Sequence, residues 1–398
     1  MSATVARMKN QPASQERNRF LDTLRGFAIF GVVCVHFGGS FATTANAWTP
    51  SFYTGLALNQ FFHFAVPLFV FISGLLASPY RSHRPIGLGR YYLERILSIG
   101  WPYLVASVAA FSLLGMRHEL AGMTTDVERI HWLLSRFFYY GVHPTFYFIP
   151  MILLLYFLKP LLSWLVPAVH RFAVRKWNPT ISLRTVMLEI LVALLALHVL
   201  LGVLGYRGVL DFYTWCRPNP LFWAVYFYFG LVFPEISKAV SPKKIKGWLG
   251  FGIALIVAGY ILDWKVLTDI DVVGPRFEHS KVDYAYARPE ILVLNLFIIL
   301  LVAGLLIKKT DKYNTILSFL GKHSLQIYLW HIPVLYFLAW RYESVLNTVK
   351  SAPELIVGFA FFTAILIATL AAAAGFLLSL PGRYSFEMKI RKMRTLDE

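Results

Sequence analysis

Runs of about twenty apolar residues recur along the chain, and each is long enough to cross the hydrocarbon core of a bilayer as an α-helix. Ten are read, at 20–40, 56–78, 96–115, 146–166, 185–206, 219–236, 246–263, 290–307, 315–338 and 354–380. The first, within RNRFLDTLRGFAIFGVVCVHF, breaks its own apolar pattern with Arg25 and His36. Both side chains are costly in hydrocarbon, so each requires a reason. An eleven-residue step turns an α-helix to within about 20° of a whole number of turns, so the two share a face, about 16 Å apart in depth. Asp22 lies three residues before Arg25 on nearly the same face, placed to pair with it. The pattern predicts a helix with a polar stripe, an anion-binding group near one end and a proton-transfer group near the other.

Composition fixes the class. A chain of 398 residues that is 57% hydrophobic, 16% aromatic and 15% charged reads as an all-α, polytopic membrane bundle of about ten transmembrane helices. The net charge of +17 raises nucleic-acid binding, but its distribution is a topology signal instead. With the N-terminus inside, 25 of the 38 lysines and arginines fall on inner segments and 11 on outer loops. That bias predicts both termini on the cytoplasmic side, an even number of spans, attraction to anionic lipid, and no nucleic-acid partner. The expected organisation is a basic tail at 1–19, one transmembrane domain at 20–380 and a basic tail at 381–398, with no cleavable signal peptide because residues 1–19 are polar. Cys34 and Cys216 support neither a disulfide framework nor a metal cluster. The chain contains no GxSxG, P-loop or HExxH motif and no strong internal repeat.

Under this topology several histidines converge towards the outer face. His36 lies near the outer end of the first span and His63 two turns into the second, after Asn59 and Gln60. His143 precedes Tyr147 at the mouth of the fourth, and His331 follows Tyr328 in the ninth. Histidines move protons near neutral pH and, with tyrosines, bind hydroxyls. The plainer reading is that a histidine near a helix end satisfies a backbone carbonyl, and it weighs most for His63 and His143. Lys159 reads as a snorkelling side chain, Arg81, Arg84 and Arg90 as loop charges, and Arg95 as a group able to hold an anion at the start of the third span. No carboxylate follows close to His36 in its own helix, so any orienting partner comes from another span.

These residues also carry a resemblance. FLDTLRGFAIFGVVCVHF resembles the first helix of the membrane acyltransferase 3 family, whose Arg-x10-His pattern falls on Arg25 and His36. FFHFAVPLFVFISGLL (61–76), with Ser73 and Gly74, is similar to the family's second span. YYLERILSIGWPYL (91–104) is similar to the start of its third, FYFIPMILLLYFLKPLL (146–162) to its fourth, and LGKHSLQIYLWH (320–331) to its late Ser-x-x-x-Tyr-x-x-His stretch. The flavour is closest to the glucan- and exopolysaccharide-modifying branch. One departure stands out: many members place two arginines three apart at the start of the third span, whereas here Arg95 is followed by Ser98.

The resemblance implies a multi-pass O-acyltransferase of the plasma (inner) membrane. It would move an acetyl- or succinyl-like group from cytoplasmic acyl-CoA, a co-substrate, to a hydroxyl of an extracytoplasmic glycan or polysaccharide. No permanently bound cofactor and no metal are expected, and other envelope-glycan synthesis proteins are candidate partners. His36 and Arg25 would be catalytic, Arg25, Asp22 and Arg95 would hold the donor, and His63, His143, Tyr147, Tyr328 and His331 would line the acceptor site. Two rivals are a transporter or flippase for a lipid-linked sugar or small solute, and, more weakly, an intramembrane protease built on Ser73 and Gly74.

Overall fold

The computed structural model describes residues 13–44, 49–80, 87–113, 117–241, 247, 250–261, 286, 289–307, 314–341, 362, 365–370 and 373. Among them every regular element is helical and there is no strand. In chain order these are α1 (Ala13–Thr44), α2 (Pro50–Phe61), α3 (Ala65–Ala77), α4 (Leu88–Arg95), α5 (Trp101–Leu113), α6 (Arg117–Ala121), α7 (Asp126–Ser135), α8 (Phe148–Lys176), α9 (Leu183–Tyr206), α10 (Pro220–Ile236), α11 (Gly250–Ile261), α12 (Pro289–Ile307), α13 (Thr315–Lys322) and α14 (Ser324–Arg341).

Local chemistry sets many of their starts. The side chains of Thr49, Ser182, Asn219 and Asn314 each accept a backbone N–H from the first turn of α2, α9, α10 and α13. Pro50 and Pro220 occupy first-turn positions where their missing N–H costs nothing. Thr125 and Glu128 form a reciprocal capping box on α7, and the backbone N–H bonds received from Thr125 and Thr124 hold the Glu128 carboxyl below its ordinary value.

Six helical stretches are long and apolar enough to cross a membrane, matching the first six expected spans: Arg19–Gly39, Phe52–Ala77, Leu88–Ser112, Pro144–Lys176, Leu183–Tyr206 and Pro220–Ala239. Shorter apolar helices, Gly250–Ile261 and Ile291–Ile307, occupy the seventh and eighth positions. The ninth run is not one helix. It breaks at His323, where φ is −102° and ψ is 16°, into the amphipathic α13 and the longer α14. Most of the tenth run, the acidic loop positions Asp269, Asp271, Glu278 and Asp283, Arg81 and Arg84, and the tails apart from 13–19 lie outside the described residues.

The bundle is layered around α1, α3 and α10. In the most apolar window of Phe52–Ala77, 78% of residues are buried, against 22% for Leu183–Tyr206, so the former is core and the latter is perimeter facing lipid. α3 packs on α10 through paired glycines: a Cβ on Gly74 would stand 2.0 Å from the Phe227 carbonyl oxygen, and one on Gly230 2.1 Å from that of Phe71. The Ser73-Gly74 pair is thus part of a close helix–helix approach, in keeping with the small residues that membrane helices use at their contacts. α1 packs on α13 in the same manner, with Gly26 against the Leu317 carbonyl and Gly321 against that of Asp22. α14 lies against both α1 and α5.

Candidate active site

The polar stripe of α1 faces a second stripe on α14. Arg25 donates from Nη1 to Asp22 Oδ1 at 3.4 Å and from Nη2 to Ser324 Oγ at 2.9 Å, so the predicted pair exists and also bridges to α14. Towards the other end of the stripe, the His36 and His331 rings lie 5.2 Å apart, centroid to centroid. Ser324, Tyr328 and His331 follow one another by four and three residues, which is one helical face. The two helices therefore run in the same direction, arginine opposite serine and histidine opposite histidine. The turn carrying His36 is held from α2, where Asn59 Nδ2 donates to the Val35 carbonyl at 2.8 Å and Gln60 Nε2 donates to Asn59 Oδ1 at 2.8 Å.

The histidines converge as expected. His36 is within electrostatic range of His331, Arg217, His143 and His63. Two of them have defined and opposite proton placements. His331 Nδ1 lies 2.6 Å from the Tyr328 carbonyl and 3.2 Å from that of Ile327, so it carries the proton and donates. Its Nε2 is left as a buried lone pair with no partner among the described residues. His143 is reversed: Nδ1 accepts from the Thr145 backbone N–H at 3.3 Å and from the Thr145 hydroxyl at 2.9 Å, which places the proton on Nε2. Burial, reinforced by the Arg217 and Arg136 charges, holds the His143 imidazole at about 4, so it is neutral at pH 7. The plainer reading of His143 as a backbone cap is thus also realised, since it caps the turn Pro144–Tyr147. That turn begins after Gly141, whose φ of 81° and proximity to Phe146 (a Cβ would stand 2.6 Å from its carbonyl carbon) require glycine.

The remaining predicted residues fall around this cluster. His63 is buried in the break between α2 and α3, its ring 5.1 Å from that of Tyr286. Tyr328 donates its hydroxyl to the Thr145 carbonyl and so ties α14 to the histidine-capped turn. Tyr147 is buried beneath Arg217, whose guanidinium carbon stands 4.3 Å from the centre of its ring. Arg95 belongs to a separate cluster. It lies 4.7 Å over the Tyr156 ring and 5.4 Å from the Tyr91 ring, while Lys159 sits 4.7 Å over that same Tyr91 ring. The Tyr91 hydroxyl, Arg95 Nε and the Ser163 hydroxyl, one turn beyond Lys159, are buried without hydrogen-bond partners among the described residues. Among the described residues no group of three or more metal-ligating side chains comes together.

Sequence reasoning passed over three of these groups. Lys159 reads as snorkelling because nothing in its own helix marks Arg95 and Tyr91 as neighbours. Arg217 reads as one more outer-loop charge, although its setting in WCRPNP, between an aromatic run and two prolines, is unusual for a loop cation. Tyr286 lies in a stretch crowded with charges, and only the fold brings it beside Trp223, 5.1 Å ring to ring.

Helical throughout its described residues, with several bilayer-length spans that enclose polar side chains, the chain is a multi-pass membrane protein. The model of the acyltransferase 3 family, described as an acyltransferase domain, matches residues 18–378, and the chain belongs to that family. No curated protein and no solved structure matches the chain.

Proposed function

We propose that this membrane acyltransferase takes its acyl group from cytoplasmic acyl-CoA and delivers it to a hydroxyl of an extracytoplasmic glycan, working in the plasma (inner) membrane. The observation that carries the reading is the His36–His331 pair, two imidazoles 5.2 Å apart, one of which keeps an unpartnered ring nitrogen. An acceptor hydroxyl must lose a proton as it attacks a thioester, and a neutral imidazole within hydrogen-bond reach is the group to take it. His36 is the general base. It is only partly buried. His331 Nε2 is oriented by its own backbone hydrogen bonds and fixes the hydroxyl or the His36 ring. His63, His143 and Tyr147 line the acceptor side, with Tyr328 bracing it. Ester formation by attack of the hydroxyl oxygen on the thioester carbon releases free thiol, with the proton passing from hydroxyl to imidazole to sulfur.

Donor phosphates are held by the Arg95 cluster. Two cations share one tyrosine ring with no carboxylate paired to either among the described residues, and Glu94 is turned to Arg90 at 3.3 Å. Like charges so placed repel unless an anion lies between them, and guanidinium, ammonium and hydroxyl donors suit phosphate oxygens. Lys159 then supplies the second cation that the missing arginine would have given. Arg25, braced by Asp22 and Ser324, forms the wall of the route by which the thioester arm reaches His36.

Two measurements test this. Purified protein in lipid nanodiscs, given radiolabelled acyl-CoA and an extracted envelope glycan, is expected to label the glycan; a solute carrier or flippase would leave it unlabelled. Lys159→Met is expected to raise KM for acyl-CoA about tenfold with kcat within about twofold, the loss of one charge-assisted contact. An unchanged KM would remove Lys159 from the donor site.

A further inference from the structure

The histidine cluster holds no carboxylate among the described residues, and of the two guanidinium groups that act on His143, Arg136 is paired with Glu119 at 3.6 Å while Arg217 stands against the cluster without an ion pair among those residues. Arg217 follows the wide π turn Phe212–Cys216 and precedes Pro218. Its Nη2 donates to the Pro144 carbonyl at 3.0 Å, in the turn that His143 caps, and its guanidinium carbon lies 4.3 Å from the centre of the Tyr147 ring and 5.6 Å from that of Tyr213. Each other guanidinium with a place in the proposed route is differently occupied: Arg25 is paired with Asp22, and Arg95 belongs to the Lys159 cluster. No ion pair to Arg217 exists among the described residues. Its charge reaches His36, His143, Tyr147, Tyr286 and Tyr328.

Among the described residues no carboxylate balances Arg217, so its guanidinium is suited to meet negative charge that develops in the cluster during the reaction. Among the described residues the ground state offers none in this cluster, because its bases are imidazoles and its tyrosines are phenols. Negative charge does appear during the transfer. When the acceptor hydroxyl oxygen bonds to the acyl carbon, the carbonyl π pair moves onto the carbonyl oxygen, and the hydroxyl proton passes to imidazole. Collapse re-forms the carbonyl, breaks the carbon–sulfur bond and sends the imidazole proton to the departing thiolate.

We propose that Arg217 is a catalytic residue of this chain, its guanidinium donating to the oxygen that becomes negative in the tetrahedral intermediate. The inference rests on the acyl-transfer reading above. Arg217 remains protonated throughout and exchanges no proton. Tyr147 beneath it and the Pro144 carbonyl fix the plane of the guanidinium, so the cation is oriented before substrate arrives and no reorganisation is needed as charge develops. Tyr328, another tyrosine of the cluster, has its hydroxyl hydrogen committed to the Thr145 carbonyl.

The test is steady-state kinetics of the full-length protein in nanodiscs with acyl-CoA and glycan. Arg217→Gln is expected to lower kcat about 10²- to 10³-fold, the usual loss for one oxyanion donor, with both KM values within about threefold and the melting temperature unchanged. Arg217→Lys is expected to recover part of the rate, and added guanidinium is expected to raise kcat of Arg217→Ala at least about tenfold. A rise in either KM with kcat preserved would make Arg217 a ground-state binder and overturn the proposal. Loss of rate with a lowered melting temperature and no response to guanidinium would make it structural and overturn it equally. Wild-type protein that transfers no acyl group would refute the acyl-transfer reading, and the role of Arg217 with it.

Discussion

His36→Ala is expected to lower acyl transfer by at least about 10³-fold while the protein still inserts in the membrane and melts close to the wild type. The two halves of that expectation have separate origins. A general base in position contributes about 10²- to 10⁴-fold to a proton-transfer step, and the His331 ring is held through Nδ1 by its own backbone bonds rather than aimed by the acceptor. Stability is spared because His36 makes no hydrogen bond among the described residues; its one recorded ring contact is with His331, and the Val35 carbonyl beside it is held independently by Asn59. Glycan labelling by the variant in nanodiscs, beside a thermal melt, measures both. Transfer within threefold of wild type would remove His36 from the chemistry, whereas lost transfer accompanied by lost folding would leave the assignment to His36→Gln, which preserves volume and hydrogen bonding without the base.

The second large effect concerns the fold. Gly321→Val is expected to prevent stable packing of α13 on α1. A Cβ at 321 would stand 1.7 Å from the Asp22 carbonyl oxygen and 2.8 Å from the Gly26 nitrogen, and a Cβ at 26 would stand 1.7 Å from the Leu317 carbonyl oxygen. These neighbours are backbone, which cannot rotate aside as a side chain can. Overpacking that side chains relieve costs about 1–3 kcal/mol, and here the helices themselves must separate, so the loss is at the top of that range or beyond it. Separation would also draw Arg25 from Ser324, because that 2.9 Å bond links α1 to the helix that follows α13. Gly321→Val is therefore expected to aggregate or to melt well below the wild type in detergent, with Gly321→Ala intermediate. A valine variant melting like the wild type would show that the two helices do not meet as described.

What the sequence made legible follows from which signals are local. Helical periodicity put Asp22, Arg25 and His36 on one stripe, and the structure pairs the first two at 3.4 Å. Convergence of His63, His143 and His331 on His36 was legible from shared depth alone, since each lies near the same end of its own run. Pairings across helices were not. Ser324 as the partner of Arg25, and Lys159 as the neighbour of Arg95 over Tyr91, depend on how cylinders rotate against one another, which hydropathy does not encode. The break at His323 was hidden for a similar reason. LGKHSLQIYLWH is apolar enough to read as one run, and only the capping of α13 by Asn314 and the bend at His323 divide it.

A wide turn adjoins each of two cations, Arg95 and Arg217. Ile96–Gly100 follows Arg95 directly, and Phe212–Cys216 directly precedes Arg217. A π turn holds one residue more than an α turn, so the segments on its two sides are out of phase by about 100°. Beyond the first, Tyr103 anchors its helix to the Phe137 carbonyl at 2.9 Å; within the second, Cys216 Sγ lies 3.4 Å from the Leu201 carbonyl. At the first turn, anchor and cation thus occupy different angular registers of one continuous helical run, and Arg95 is aimed by a single extra residue.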